Sequence, residues 1–282
     1  MLVFLNGQIL KEEDAKISIN DLSYQFGYGL FETIRCEQGI PLFFEYHYKR
    51  LTHSAKELEM SFPVEEKEVK KWIQDILHAN KLTSGRVKII ISKRIEDKFN
   101  VLILTSPLEK LPGAYSLLSY TLSRDSKSVS FRHKTTSRAD SYVAYKKAIE
   151  SDFNDALYVN ERNELIECTR ANIFLVIEDK IITPLLESGI LSGVTRAKII
   201  EIAKKEGTVI EEKNVHSLYL GKAADAFITN AIIGIMPVSR IKFEDKEYNF
   251  SRDSKTIRLK NAYDGEVQEY LNASLSKHPS YS

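Results

Sequence analysis

Residues 163–207 read NELIECTRANIFLVIEDKIITPLLESGILSGVTRAKIIEIAKKEG. Apolar and β-branched runs at Leu165–Glu167 and Asn172–Ile177 predict strands, and Lys180–Thr183 closes a hairpin. A loop ending in Ser-Gly then opens a helix from about Thr195 to Glu206. Several strands thus precede one helix, and with a further strand at Ala156–Val159 there is no strict βα alternation. That pattern argues α+β rather than a doubly wound sheet. No G-x-G-x-x-G lies between a strand and a helix, which disfavours a dinucleotide site of the Rossmann kind.

Toward the N-terminus, LVFLNGQIL predicts two short strands around an Asn-Gly turn. A strand follows over Leu30–Cys36, with Gln38-Gly39 turning into another. Helices are predicted over Tyr46–Met60 and Glu65–Ala79, and strands over Arg86–Lys93 and Asn100–Thr105. The segment SPLEKLPG (106–113) breaks the pattern with two prolines and a glycine. It reads as a linker, centred on 109–113, between an N-terminal domain (1–108) and a C-terminal domain (114–282). Beyond it come a strand at Tyr115–Leu122, a helix at Ser137–Asp152, a short helix near Leu218 and a strand at Ala226–Thr229. A further strand in IIGIMPVSRI has Pro237 at a bulge or an edge. The polar tail from His278 is expected to fray.

The chain has 282 residues, 43% of them hydrophobic and 28% charged, which suits one or two globular domains. The net charge of +1 and the absence of a basic stripe make nucleic acid a poor partner. No apolar run approaches the length of a membrane span, and the N-terminus lacks the pattern of a signal peptide. Two cysteines, Cys36 and Cys168, are too few for a disulfide framework, and the six histidines show no metal-ligand spacing. The expected location is the cytoplasm, with no membrane, nucleic-acid or metal partner.

Four features could carry chemistry. The helix opening at Val194-Thr195 offers free N–H groups and the positive end of its dipole to a phosphate, and Gly193 lets a ligand approach the backbone. An ordinary N-cap is the commoner meaning of a lone S-G-x-T. Lys134 ends the alternating stretch SVSFRHK, and a lysine at a strand end can be buried, freeing its amine for Schiff-base chemistry. Most lysines are simply solvated. Glu167, among apolar strands, needs a partner, and a protonated ring nitrogen would serve as well as an ordinary hairpin contact. Arg50, on the first helix, offers a planar fork to phosphate or is plain surface charge.

Together these residues fall into six blocks: YQFGYGLFETIR (24–35), HYKRLTHSAKEL (47–58), HKTT (133–136), LIECTRANIFLV (165–176), TPLLESGILSGVTR (183–196) and ADAFITNAIIGIMPV (224–238). In this order they resemble the class IV aminotransferases, the fold-type-IV pyridoxal-phosphate enzymes. The resemblance implies a smaller N-terminal α/β sandwich, a larger C-terminal pseudo-barrel, pyridoxal 5'-phosphate as cofactor and a homodimer. It implies that Lys134 carries the cofactor and shuttles a proton, and that Glu167 holds the pyridine nitrogen protonated. Arg50, Val194 and Thr195 would bind the phosphate, with Asn230 and Ala231 adding contacts and Leu191 packing on the ring. Phe31, Thr33 and Arg35 alternate on one strand and would border the substrate.

Within the family, TNAIIGIMPV and ECTRANIF look closest to the 4-amino-4-deoxychorismate lyases, which release pyruvate and 4-aminobenzoate, a folate precursor. The segment KRIEDKFN (93–100) departs from the loops that family members carry there, which leaves substrate-carboxylate binding, by Arg94 included, unassigned and argues against a D-amino-acid specialist. An aminotransferase acting on branched-chain or other amino acids is the alternative. A non-catalytic relative that binds or regulates is a third reading.

Overall fold

The first hairpin forms because Asn6 and Gly7 both accept a positive φ, 50° and 91°, as a tight two-residue turn requires. It joins β1 (Leu2–Leu5) to β2 (Gln8–Lys11). After α1 (Leu22–Phe26) and β3 (Gly29–Glu37), Gln38 and Gly39 repeat this chemistry at φ 51° and 73° and lead into β4 (Ile40–Pro41). Helices α2 (Phe44–Glu57) and α3 (Glu66–Ala79) and strands β5 (Gly85–Lys93) and β6 (Phe99–Ser106) follow. The computed structural model describes residues 1–60, 62–93, 99–122, 126–251 and 253–277. Arg94, most of the divergent 93–100 segment and the tail from His278 lie outside the described residues.

The chain divides into two compact units. The first comprises residues 1–109, 133–137 and 266–282. Its six strands form an antiparallel sheet in the order β2-β1-β6-β5-β3-β4. One face is apolar at every second residue, with Leu30, Ile34 and Cys36 from β3 and Val87, Ile89 and Ile91 from β5. Leu51 and Ala55 of α2 and Val69, Ile73 and Ile76 of α3 cover it. Each of the Leu, Ile and Val side chains among them contributes about 1.5–3 kcal/mol on burial. The other face of β3 presents Phe31, Thr33 and Arg35, all half-buried. The period-2 reading of this strand is therefore borne out.

The second unit comprises residues 110–132 and 138–265. It contains β7 (Tyr115–Thr121), α4 (Val129–Arg132), α5 (Ala139–Glu150), β8 (Asp155–Val159), β9 (Glu164–Cys168), β10 (Asn172–Ile177) and β11 (Lys180–Pro184). Then come α6 (Val194–Lys205), β12 (Ile210–Lys213), β13 (Val215–His216), β14 (Asp225–Asn230), β15 (Gly234–Phe243) and β16 (Lys246–Asn249). The sheet runs β12-β11-β10-β14-β15-β7-β8-β9-β13, with β16 beside β15. It mixes parallel pairs (β11/β12, β15/β7, β7/β8) with antiparallel ones. Strand β9 also lies beside β10 and β11, so the two ends of the sheet curl toward each other. The final helix α7 (Ser254–Lys277) is shared between the units. Among the described residues no helix is long and apolar enough to cross a membrane.

Three expectations are corrected. Residues 133–137 and the second half of α7 belong with the first unit, whereas the sequence placed them in a contiguous C-terminal domain. The stretch before Lys134 is a helical turn, α4, and not a strand. Its alternation spans only three apolar or aromatic positions, and Val129 stays 49% exposed, so no buried strand face selects the extended form. Pro237 pairs with Phe227 inside the sheet, not at its edge. The irregularity of β15 falls just beyond it, between Val238 and Arg240, and pairing with β7 begins only at Val238, so no ladder bond needs the missing proline N–H on that side.

Candidate active site

In the first unit, Lys134 sits in a tight turn held against the start of β3. The Phe31 N–H donates to the Lys134 carbonyl at 2.8 Å, the Thr136 N–H to the Gly29 carbonyl at 2.8 Å, and the Thr135 N–H to the His133 carbonyl at 3.0 Å. Leu30 and Thr135 form an antiparallel bridge. The lysine amine lies 4.5 Å from the centre of the Phe31 ring, and the Lys88 amine lies 4.9 Å from the same ring. A half-buried ammonium over an aromatic face is attracted by the ring quadrupole. Phe31 therefore does border Lys134. Thr33 and Arg35 continue along its face, and Arg35 is engaged by Glu37 at 2.5 Å.

On the opposite face of β3 the sequence reading missed a residue. Glu32 occupies a position in the apolar row and is 1% exposed. Arg50 of α2 grips it with Nε on Oε1 and Nη2 on Oε2, both at 2.7 Å, and His47 Nδ1 meets Oε2 at 2.7 Å. Burial works to raise the Glu32 pKa, but the Arg50 charge and the hydrogen bonds from His47 and Arg50 outweigh it and hold the carboxyl far below the ordinary range. Burial pushes His47 down, with the charges of Arg50 and Lys134 acting in the same direction against Glu32. A neutral His47 then donates its Nδ1–H to the carboxylate. Two of the five guanidinium N–H groups of Arg50 are committed to Glu32, which fixes the plane in which the others point.

In the second unit, Glu167 on β9 is 7% exposed. It accepts the Leu191 N–H at 3.0 Å, with the Asn172 carboxamide nitrogen at a long 3.5 Å. The same nitrogen donates to the Leu191 carbonyl at 3.0 Å, so Glu167, Asn172 and Leu191 knot the loop before α6 to the sheet. A Cβ on Gly193 would come within 2.1 Å of the Asn172 carboxamide oxygen, so only glycine fits the close approach of loop and strand. Gly193 is also the N-cap of α6 and provides no side-chain cap. The first intrahelical bond is made by Ala197, to the Gly193 carbonyl at 2.9 Å. The N–H groups of Val194, Thr195 and Arg196 therefore stand at the positive end of the helix dipole.

Asn230 ends β14, the strand beside β10, and Ala231 follows it. The Asn230 carboxamide oxygen accepts the Ile232 and Ile233 N–H groups at 2.9 and 3.0 Å, and its nitrogen donates to the Arg170 carbonyl at 3.0 Å. This side chain shapes the turn into β15, a use the sequence reading did not foresee. Its neighbour Thr229, paired with Asn172 across the strands, is 1% exposed, and its hydroxyl has no hydrogen-bond partner among the described residues. A buried hydroxyl left unpaired is costly and calls for a polar partner. Arg196, 4% exposed and bonded to Glu212 at 2.6 Å and the Pro184 carbonyl at 2.9 Å, anchors the first turn of α6.

Two clusters thus emerge: an amine on an aromatic ring with a clamped guanidinium, and a buried carboxylate with an uncapped helix N-terminus. The family model of class IV amino-transferases matches residues 29–241. The chain belongs to this family. Among its relatives, the aminodeoxychorismate lyase of Bacillus subtilis is 28% identical, the match covering 96% of each chain. The D-alanine aminotransferase of Listeria monocytogenes is 24% identical, covering 86% of this chain and 88% of that one. The crystal structure of the branched-chain aminotransferase of Thermoproteus uzoniensis superposes with a TM-score of 0.86 at 25% identity, covering 96% and 97%.

This class IV protein is therefore an enzyme, with pyridoxal 5'-phosphate as its cofactor, and the non-catalytic alternative is set aside. The residues fit that group. Lys134 would offer an amine to an aldehyde, the buried Glu167 an anion to a ring N–H, and α6 an uncapped helix end to a phosphate.

Proposed function

We propose that the enzyme is a 4-amino-4-deoxychorismate lyase, releasing pyruvate and 4-aminobenzoate. The observation that carries this reading is the end-to-end match, 96% of both chains, to the Bacillus subtilis lyase. The Asn-containing turn after β14, built on the Asn230 side chain, supports it.

Bound pyridoxal phosphate supplies an aldehyde that captures amines and a ring that accepts electrons. Lys134 Nζ would hold the cofactor and would move the ring proton of the substrate as general base and acid. Glu167 would keep a proton on the pyridine nitrogen, and the Leu191 N–H holds its carboxylate in place. Leu191 would pack on the ring. Arg50, the N–H groups of Val194 and Thr195 and the Thr195 hydroxyl would hold the phosphate, with Asn230 and Ala231 adding contacts. Phe31, Thr33 and Arg35 line the substrate side.

A second reading, an aminotransferase for branched-chain or other amino acids, is favoured by the fold match to the Thermoproteus uzoniensis enzyme. Purified enzyme incubated with aminodeoxychorismate should form 4-aminobenzoate and pyruvate in equal amounts. Rapid glutamate formation from leucine plus 2-oxoglutarate, with no 4-aminobenzoate from the first incubation, would overturn the lyase reading. We further propose a cytoplasmic homodimer. Exposed Ile19, Tyr24 and Phe26, clustered within eight residues, support the dimer, and two buried free cysteines suit a reducing compartment.

A further inference from the structure

Helix α2 carries His47, Arg50 and Ser54 at spacings of three and four, which places them on one helical face. His47 and Arg50 hold Glu32. Ser54, 3% exposed, meets Nδ1 of His133 at 3.0 Å, and His133 is itself 9% exposed. His133 immediately precedes Lys134. We propose that the Ser54–His133 pair is a latch that positions Lys134, an inference that rests on Lys134 being the cofactor lysine.

The turn around Lys134 is held on its two sides by different means. Downstream, the Thr136 backbone pairs with Gly29, while its hydroxyl accepts from Ser23 at 2.8 Å and donates to the Gly27 carbonyl at 2.8 Å. At the centre, the Lys134 carbonyl receives the Phe31 N–H. Upstream, the hold is the imidazole of His133 on α2. With both flanks fixed, the Cα–Cβ direction of Lys134 is fixed, and the reach of its amine is limited to its own side-chain rotamers.

The chemistry of the latch is directional by choice of residue. Ser54 is buried at helical spacing from the core residues Leu51 and Leu58, and two apolar side chains at such positions would pack without the desolvation cost of a hydroxyl and an imidazole. A hydrogen bond between buried groups instead specifies one distance and one angle. It also refers Lys134 to the helix whose Arg50 is locked by Glu32, so amine and guanidinium share one rigid frame. Errors near 1 Å in such a frame cost about 100-fold in rate. His133 and Ser54 are positioning residues, acting through Lys134.

The test uses the full-length protein freed of cofactor, with Ser54→Ala, His133→Leu, their double variant and His133→Asn, whose carboxamide can replace Nδ1. Capture of pyridoxal 5'-phosphate is timed by borohydride quenching and located by peptide mass spectrometry. Affinity for pyridoxine 5'-phosphate, which lacks the aldehyde, is measured alongside. Ser54→Ala and His133→Leu should each slow capture at Lys134 by about tenfold or more. Pyridoxine 5'-phosphate affinity should stay within about twofold, the double variant should be no slower than either single, and His133→Asn should recover most of the rate. Wild-type capture rates in Ser54→Ala, single effects that multiply in the double variant, or a parallel loss of pyridoxine 5'-phosphate affinity would each overturn the latch. If His133→Leu fails to fold, Ser54→Ala and His133→Asn decide the matter. Label on another residue of the wild-type protein would instead refute the cofactor-lysine assignment.

Discussion

Replacing Glu32 by Gln changes no volume and removes one charge. The carboxylate receives three bonds of 2.7 Å, two from Arg50 and one from His47. A carboxamide placed with its oxygen toward Nη2 and His47 keeps two acceptor contacts but turns its NH2 group against the Arg50 Nε–H, donor against donor. The Arg50 side chain, 14% exposed, then loses this anion. Breaking a buried ion pair from one side costs about 3–5 kcal/mol, and the partial exposure of Arg50 favours the lower end, about 3 kcal/mol. At about 2–4 °C per kcal/mol, the melting temperature of the cofactor-free protein should fall by about 6–12 °C at neutral pH. The sign of the pH dependence follows from the depressed Glu32 pKa. The stability it contributes is complete above its ordinary value of 4.5 and is lost as pH falls toward the folded value. The gap between wild type and Glu32→Gln should therefore narrow on acidification, as followed by circular dichroism melts at neutral and acid pH. A fall of less than about 2 °C at neutral pH, with m-values unchanged, would refute the reasoning.

Lys134→Ala should show no borohydride-stable cofactor on the polypeptide and a loss of activity of at least about 1,000-fold, whichever reaction the wild type performs; retained covalent capture at the wild-type rate would move the role elsewhere. Gly193→Ala must displace the Asn172 carboxamide, which a Cβ would approach to 2.1 Å, so Asn172 loses its bond to the Leu191 carbonyl. About 1–3 kcal/mol of stability and about tenfold in affinity for pyridoxal phosphate should go with it, measured by thermal melts and by titration of absorbance. Tyr24→Ser with Phe26→Ser should shift light-scattering mass toward one chain, while unchanged mass would mean that these side chains, 78% and 72% exposed, serve no dimer contact.

Much of the fold was legible locally. The Asn6-Gly7 turn and Gly39 declare themselves by residue type, because glycine and asparagine take a positive φ cheaply. Alternation along β3 separated Phe31, Thr33 and Arg35 from Leu30, Ile34 and Cys36 correctly. The same alternation put Glu32 in the buried row, and a carboxylate there is itself the signal that a cation must meet it. That signal could have found the Glu32–Arg50 pair, since Arg50 and His47 lie on one face of the next helix. The strand expected before Lys134 failed for lack of length, because three alternating positions fit a helical turn equally well.

The sequence alone placed most of the strands and helices, though not α1, α4 or the final helix α7, and showed the likeness to the class IV enzymes and which lysine, carboxylate and helix end stand in the family's positions. Those properties are written in short patterns and in the order of blocks. Only the tertiary structure decided what surrounds them. Ser54 and His133 are 79 residues apart, Glu32 and Arg50 are 18 apart, and Gly193 is indispensable because of Asn172 on another strand. Periodicity reports which face of an element is buried and is silent on which side chain lies across from it. Those partners are fixed by packing of distant elements, and that packing turns an unremarkable serine, histidine and glutamate into the frame around Lys134.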